Sequence, residues 1–130
     1  MLGTEAVTKI LREKGFKVTP QRLAVYDALS STKSHPNAEM LYNMLQPSYP
    51  TMSLATVYKT MDILAELGLI QVLNVGEDSY RYDAETASHP HIRCTECNRV
   101  DDIFNFQDEG LMNGVEAKTG YQLTGRQLYF

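Results

Sequence analysis

The sequence predicts an α+β fold in two parts: a helical N-terminal part that ends in a β-hairpin, and a shorter mixed C-terminal part. In the first 68 residues, apolar side chains recur at helical spacing in four stretches. After Gly68 the pattern changes to short apolar or alternating runs separated by turns. The polar segment 84–88 has no periodicity, so we place an N-terminal domain at 1–83, a linker at 84–88 and a C-terminal domain at 89–130.

The first two helices are predicted near the N-terminus. The first has apolar residues at helical spacing and ends before Gly15, a typical helix terminator; these residues are Ala6, Val7, Ile10 and Leu11. Thr19 and Pro20 form an N-cap followed by proline at the first helical position, which predicts a second helix that runs to about Ser30.

The third and fourth helices follow His35-Pro36. Met40, Leu41, Met44 and Leu45 mark the third helix, which Pro47 ends. Ser53 caps the fourth helix, which ends at Gly68. Its core-facing residues step by three, four and three; they are Leu54, Val57, Met61 and Leu64.

A β-hairpin and a small second domain complete the prediction. Segment 69–75 is largely apolar, 76–78 is a turn, and in 79–83 the tyrosines Tyr80 and Tyr82 alternate with Arg81 and Asp83. Strands are expected at 92–94, 100–106 and 121–130, and a helix near 108–118. A unit of about 43 residues is small enough that metal binding or dimerisation is expected to stabilise it.

Helices two to four followed by a hairpin are the order of a winged helix-turn-helix, whose last helix enters the DNA major groove. The face of the fourth helix opposite its core side carries Thr56, Lys59 and Thr60, with Tyr58 at the flank. These side chains are able to contact phosphates and bases. An ordinary amphipathic helix with a solvated face remains the alternative, since neither this face nor the hairpin is rich in Arg or Lys.

Charge and composition limit the function classes. The 130 residues are 43% hydrophobic and 22% charged, as in a globular protein. A net charge of −4 argues at first against nucleic acid, but residues 1–82 carry eight basic and eight acidic residues, whereas 83–130 carry four and eight. No apolar run approaches the ~20 residues of a membrane helix, and the first five residues do not resemble a signal peptide. We therefore expect a cytoplasmic protein without a membrane partner.

The triplet His89-Pro90-His91 predicts a metal site. Proline favours extended backbone in the residue before it, so the two imidazoles should project on one side. His35, Asp83 and either Asp101 or Asp102 are further ligand candidates, because a carboxylate in the apolar run around residue 102 needs a partner. Three imidazoles and two carboxylates suit Fe(II) or Mn(II) better than structural zinc.

Cys94 and Cys97 have the spacing of half a zinc knuckle. Two cysteines and three histidines do not supply both a four-ligand zinc site and the five-ligand site. Either the thiols are free, or residues beyond Phe130 or from another chain complete the site. A thiol oxidoreductase using this pair is a less favoured hypothesis, since the pair does not begin a helix after a strand.

These residues resemble the ferric uptake regulator (Fur) family of metal-dependent bacterial repressors, and within it the peroxide-sensing PerR branch. The resemblance covers nearly the whole chain. Its matching pieces are Gly15-Phe16-Lys17-Val18-Thr19-Pro20-Gln21-Arg22, His35-Pro36, Met52-Ser53-Leu54-Ala55-Thr56-Val57-Tyr58 and His89-x-His91-x-x-Cys94-x-x-Cys97.

The resemblance implies a non-enzymatic homodimer in which winged-helix heads are joined by a small α/β dimerisation domain. It also implies that the dimer binds a palindromic operator in double-stranded DNA when a regulatory site holds metal. Regulatory ligands by position in the motifs are His35, Asp83, His89, His91 and Asp102. Aspartate at Asp102 resembles the peroxide-sensing branch, whereas iron-uptake members more often have glutamate. In that branch peroxide reacts with bound Fe(II) and oxidises ligand histidines, here His35 and His89, which releases DNA. A repressor that senses iron or manganese level without a redox step is the alternative.

The resemblance also implies DNA contacts from Thr56, Tyr58 and Lys59 on the fourth helix, and from Lys17 and Arg22 near the backbone or minor groove. Lys59 departs from the asparagine of comparable proteins, which leaves operator preference open. Family members usually carry a second C-x-x-C after the last strand, which completes a four-cysteine Zn(II) site with Cys94 and Cys97. We expect that this chain is truncated before that pair.

Overall fold

The computed structural model describes residues 2–130, which divide into two compact units. The first unit extends to Ala87 and the second runs from Ser88 to Phe130. The division falls within the predicted linker segment. Among the described residues, no helix combines the length and the hydrophobicity needed to cross a membrane.

The first unit consists of four helices followed by a two-stranded antiparallel sheet, in the predicted order. The elements are α1 (Thr4–Glu13), α2 (Pro20–Ser30), α3 (Ala38–Leu45), α4 (Leu54–Glu66), β1 (Gln71–Leu73) and β2 (Arg81–Asp83). Helices α2, α3 and α4 pack against one another, and β2 also contacts α2. In the sheet, Gln71 lies opposite Asp83 and Leu73 opposite Arg81. This arrangement is a helix-turn-helix followed by a wing.

Local capping explains where the helices begin and end. The side chains of Thr19, Asn37 and Ser53 accept hydrogen bonds from the backbone N–H groups of Arg22, Met40 and Thr56, respectively. Gly15 and Gly68 follow α1 and α4 with φ angles of 81° and 72°, which glycine adopts without steric cost. The predicted caps at Thr19 and Ser53 are therefore confirmed.

The core of the first unit is formed by apolar residues of all four helices and of the hairpin. Val57, Met61 and Leu64 of α4 are buried there, as predicted. Thr60 is a correction: we predicted it on the exposed face, but it is 1% exposed and its hydroxyl donates to the Thr56 carbonyl at 2.7 Å. A threonine tolerates this position because its own helix satisfies the hydroxyl.

The hairpin departs from simple alternation. Tyr80 is exposed, whereas Arg81, Tyr82 and Asp83 are all buried, so the predicted division into a tyrosine face and a charged face is wrong. Arg81 is buried because its guanidinium forms an ion pair with Glu77 and donates to backbone carbonyls of the segment before α3. Burial, with Asp62 nearby, raises the pKa of the Tyr82 hydroxyl.

The second unit contains β3 (His91–Arg93), β4 (Val100–Asp102) and α5 (Glu109–Thr119). Strands β3 and β4 are antiparallel, with His91 opposite Asp102. The strand predicted at 100–106 is shorter than expected, since it ends at Asp102; Asn105, beyond its end, has a φ of 57°. The helix near 108–118 is confirmed, and the two units together confirm the α+β class.

The final strand predicted at 121–130 is largely wrong. Only its last residues pair with β3: His91 N–H donates to the Leu128 carbonyl, and Arg93 N–H donates to the Phe130 carbonyl. β3 is three residues long and its other edge is taken by β4, so it offers partners to only a short segment. Residues 121–127 have no regular structure.

Candidate metal centre

His35 and Asp83 form a buried pair in the first unit. The Nε2 atom of His35 lies 3.3 Å from Oδ2 of Asp83, and their side chains are 2% and 11% exposed. Asp83 is the last residue of β2. Its other oxygen, Oδ1, accepts the N–H of Glu85 at 2.9 Å. This bond fixes the carboxylate and leaves Oδ2 directed at the imidazole.

The backbone of His35 is unusual. Its φ of 51° lies in the left-handed region, which costs a residue with a Cβ about 1–2 kcal/mol. This conformation persists because the surrounding structure holds it, and it lies at a residue whose imidazole meets a buried carboxylate.

His89, His91 and Asp102 form a second cluster in the second unit. Oδ1 of Asp102 lies 2.7 Å from Nε2 of His89 and 3.2 Å from Nε2 of His91. The imidazole centroids are 4.5 Å apart, so the two rings lie side by side, as the His-Pro-His pattern predicts. His91 is 1% exposed, and the ring of His89 stacks on Phe104 with centroids 5.9 Å apart.

Asp101 contacts a different group. Its carboxylate pairs with Arg99, with Nε 2.9 Å from Oδ2; the Arg99 side chain is 75% exposed and that of Asp101 47%. Neighbouring strand residues project to opposite faces, so only one of the two aspartates is able to face the histidines. Asp102 is the one that does.

The chemistry of both clusters fits a first-row divalent cation. Each cluster combines neutral imidazole nitrogen with carboxylate oxygen, the donors that such ions accept. In the second unit, one donor atom from each of His89, His91 and Asp102 lies within 4.8 Å of the others. Burial of these groups is unfavourable unless they are paired, and a bound cation would satisfy them as ligands. The residues present therefore fit the metal that the sequence predicts.

Cys94 and Cys97 lie in the turn between β3 and β4, and both are exposed and not disulfide-bonded. Hydrogen bonds from the backbone N–H groups of Cys97 and Glu96, and from the Cys97 thiol, lower the pKa of the Cys94 thiol. The turn closes with the Cys94 N–H donating to the Arg99 carbonyl at 2.9 Å. Thiolate stabilisation by backbone N–H groups suits a metal ligand.

The predicted DNA-contacting residues all lie in the first unit. Lys17, Tyr58 and Lys59 are exposed. Arg22 donates from Nη1 to the Lys17 carbonyl at 2.8 Å, so its guanidinium braces the segment before α2. The Thr56 hydroxyl is 2.9 Å from the Ser53 hydroxyl, within the N-cap of α4.

Arg81 is a residue that the sequence did not single out as part of the site. Its guanidinium donates to the carbonyl of His35, whereas strand alternation predicts only that Arg81 shares a face with Asp83. The spacing Glu77-x-x-x-Arg81 was the available signal, but a charged pair in a turn is usually a surface feature.

Known proteins match this chain along most of its length. It is 52% identical over 124 residues to the transcriptional regulator PerR of Clostridium acetobutylicum, covering 95% of this chain and 90% of that protein. The crystal structure of the Campylobacter jejuni peroxide stress regulator is 32% identical with a TM-score of 0.68, covering 100% of this chain and 96% of the other. The Vibrio cholerae ferric uptake regulator is 28% identical with a TM-score of 0.79, covering 95% and 96%. The model of the Ferric uptake regulator family matches residues 13–130, and the chain therefore belongs to that family.

Proposed function

We propose that this protein is a metal-dependent DNA-binding repressor that responds to peroxide. The observation that carries the proposal is the pair of buried imidazole and carboxylate clusters, His35 with Asp83 and His89 with His91 and Asp102. Similarity to the Campylobacter jejuni peroxide stress regulator supports peroxide as the signal.

The regulatory metal, in this proposal, is a single Fe(II) or Mn(II) ion that takes His35 and Asp83 from the first unit and His89, His91 and Asp102 from the second. Two carboxylates balance the charge of a divalent ion, and three imidazoles complete the coordination. When bound, Fe(II) supplies the electron that reduces peroxide, whereas Mn(II) accepts the same ligands without that chemistry. As ligands of that iron, the imidazoles of His35 and His89 would be the groups that are oxidised.

The DNA-binding part of the proposal assigns α4 to the major groove and the hairpin to the flanking backbone. Tyr58 and Lys59 are exposed on α4, while Lys17 precedes α2 and Arg22 lies in the first turn of that helix. The protein would act as a homodimer on a palindromic operator, in the cytoplasm where the DNA is located. Cys94 and Cys97 would be two of the ligands of a structural Zn(II) ion.

The test of peroxide sensing is oxidation of the ligand histidines. Protein loaded anaerobically with Fe(II) is treated with one equivalent of peroxide, digested and measured by mass spectrometry. Peptides containing His35 or His89 should gain one oxygen atom, and affinity for operator DNA should fall in parallel.

Protein loaded with Mn(II) is the matched control, since it should bind the same DNA and gain no oxygen. Unmodified histidines in the Fe(II) sample, together with unchanged DNA affinity, would instead support a repressor that senses metal level alone.

A further inference from the structure

A buried ion pair lies beside one of the metal-ligand candidates. In the first unit, Arg81 forms a two-pronged pair with Glu77: Nε is 2.9 Å from Oε2, and Nη2 is 3.1 Å from Oε1. Arg81 is 3% exposed and the Glu77 side chain 15%. Buried pairs of this kind rarely add much stability relative to apolar side chains. Their value lies in fixing a geometry.

The geometry fixed here is that of the segment carrying His35. The third guanidinium nitrogen of Arg81, Nη1, donates to the His35 carbonyl at 2.9 Å and to the Ser34 carbonyl at 3.4 Å. The next residue of β2 continues the pattern, because the Tyr82 N–H donates to the Pro36 carbonyl at 3.0 Å. Three consecutive carbonyls are therefore held by the strand that ends in Asp83.

His35 needs such support because its φ of 51° is disfavoured for any residue with a Cβ. If the segment relaxed to ordinary φ values, the imidazole would turn away from Asp83. The hydrogen bonds from Arg81 hold the backbone carbonyls of Ser34 and His35. They therefore oppose this relaxation and keep Nε2 of His35 3.3 Å from Oδ2 of Asp83.

We propose that Arg81, held by Glu77, is a positioning residue that presets His35 as a ligand for the regulatory metal. The inference rests on the proposed function, since it requires that His35 bind the ion. Glu77 has a second effect: it neutralises the guanidinium, so the support adds no net positive charge next to a cation site.

The test is a double-mutant cycle on Mn(II) affinity, measured by isothermal titration of the full chain. Arg81→Met should weaken Mn(II) binding about 10- to 100-fold, the usual range for groups that orient metal ligands. In a His35→Ala background the same substitution should have almost no further effect, because the ligand that Arg81 positions is absent. Thermal unfolding in chelator gives the folded fraction of each variant.

Lys9→Met is the matched control. Lys9 and Glu13 are also an ion pair four residues apart in the first unit, but they are 77% and 59% exposed and lie on α1. This variant should bind Mn(II) like the wild type. If Arg81→Met does not fold, Glu77→Gln and Arg81→Lys replace it, with weaker Mn(II) binding expected for both.

The outcomes distinguish failure of the positioning role of Arg81 from failure of the proposed metal site. Equal losses from Arg81→Met with and without His35 would mean that Arg81 supports the fold in general, and would overturn the positioning role. Unchanged Mn(II) affinity in Arg81→Met, with weakened binding in His35→Ala, would overturn it as well. Wild-type affinity in His35→Ala would contradict the proposed metal site itself.

Discussion

Adjacent residues of β4 have different partners, and this difference predicts which of them binds metal. Asp102 meets the two histidines of the second unit, whereas Asp101 pairs with Arg99 at the surface. Asp102→Asn retains the shape of the side chain but removes the charge that a divalent cation needs. We expect Mn(II) binding to weaken by more than about tenfold, measured by isothermal titration.

Asp101→Asn is the control for this prediction, because it makes the same chemical change one residue away. It should leave Mn(II) affinity within about threefold of the wild type, given the small energies of exposed ion pairs. A larger loss for Asp101→Asn than for Asp102→Asn would reverse the assignment.

Cys94 is the second residue for which the local geometry predicts behaviour. Backbone N–H groups of Cys97 and Glu96 stabilise its thiolate and lower the pKa of the thiol. The rate of Cys94 alkylation by iodoacetamide should be measured as a function of pH in zinc-free protein. The pH at which this rate is half-maximal should lie below about 8.5, the pKa of a free cysteine.

The same protein in urea provides the comparison, since the turn from β3 to β4 that brings the N–H groups together is then lost. The midpoint should rise to the ordinary value. An identical pH profile in both states would show that the turn does not activate the thiol.

At the scale of elements, the N-cap of α4 is the clearest prediction. The Ser53 hydroxyl accepts the Thr56 N–H at 3.1 Å and contacts the Thr56 hydroxyl. Ser53→Ala should lower the free energy of unfolding by about 1 kcal/mol, measured by urea denaturation. Ser88→Ala, at an exposed position where the second unit begins, should have little effect. An equal loss in both variants would indicate that Ser53 does not act as a cap.

Elements with local signals could be predicted from the sequence, and elements that depend on distant partners could not. The start of α2 follows from Thr19 and Pro20, and the end of α4 from Gly68, because capping involves only neighbouring residues. The strand predicted at 121–130 depends on the length of edge that β3 offers, and nothing within that segment reveals that length.

The candidate site divides in the same way. His89 and His91 are close in sequence, so their convergence follows from strand geometry. Asp102 contacts them because β4 pairs with β3 and places Asp102 opposite His91. Arg81 was missed because its burial depends on the carbonyls of Ser34 and His35, which are more than 40 residues distant along the chain. The alternation of residues along a strand does not reveal that a buried guanidinium will find hydrogen-bond acceptors so far away in the sequence.

At the scale of the whole molecule, the net charge of −4 lies entirely in residues 83–130, where Asp83 and Asp102 are located. One divalent ion bound to both aspartates would cancel half of this excess. The proposed ligand set also requires that the ion join residues from the first unit to residues from the second. Binding should therefore stabilise both units together, because a ligand that binds only the native state protects every segment that it holds.

Hydrogen–deuterium exchange with mass spectrometry tests this coupling in the full chain. Saturating Mn(II) should slow exchange in peptides around His35 and Asp83, and equally in peptides around His91 and Asp102. His89→Ala, which removes a ligand of the second unit alone, should reduce protection in both sets, whereas Lys9→Met should retain it. Protection confined to one unit would mean that the ion binds one cluster only, and the five-ligand assignment would then be wrong.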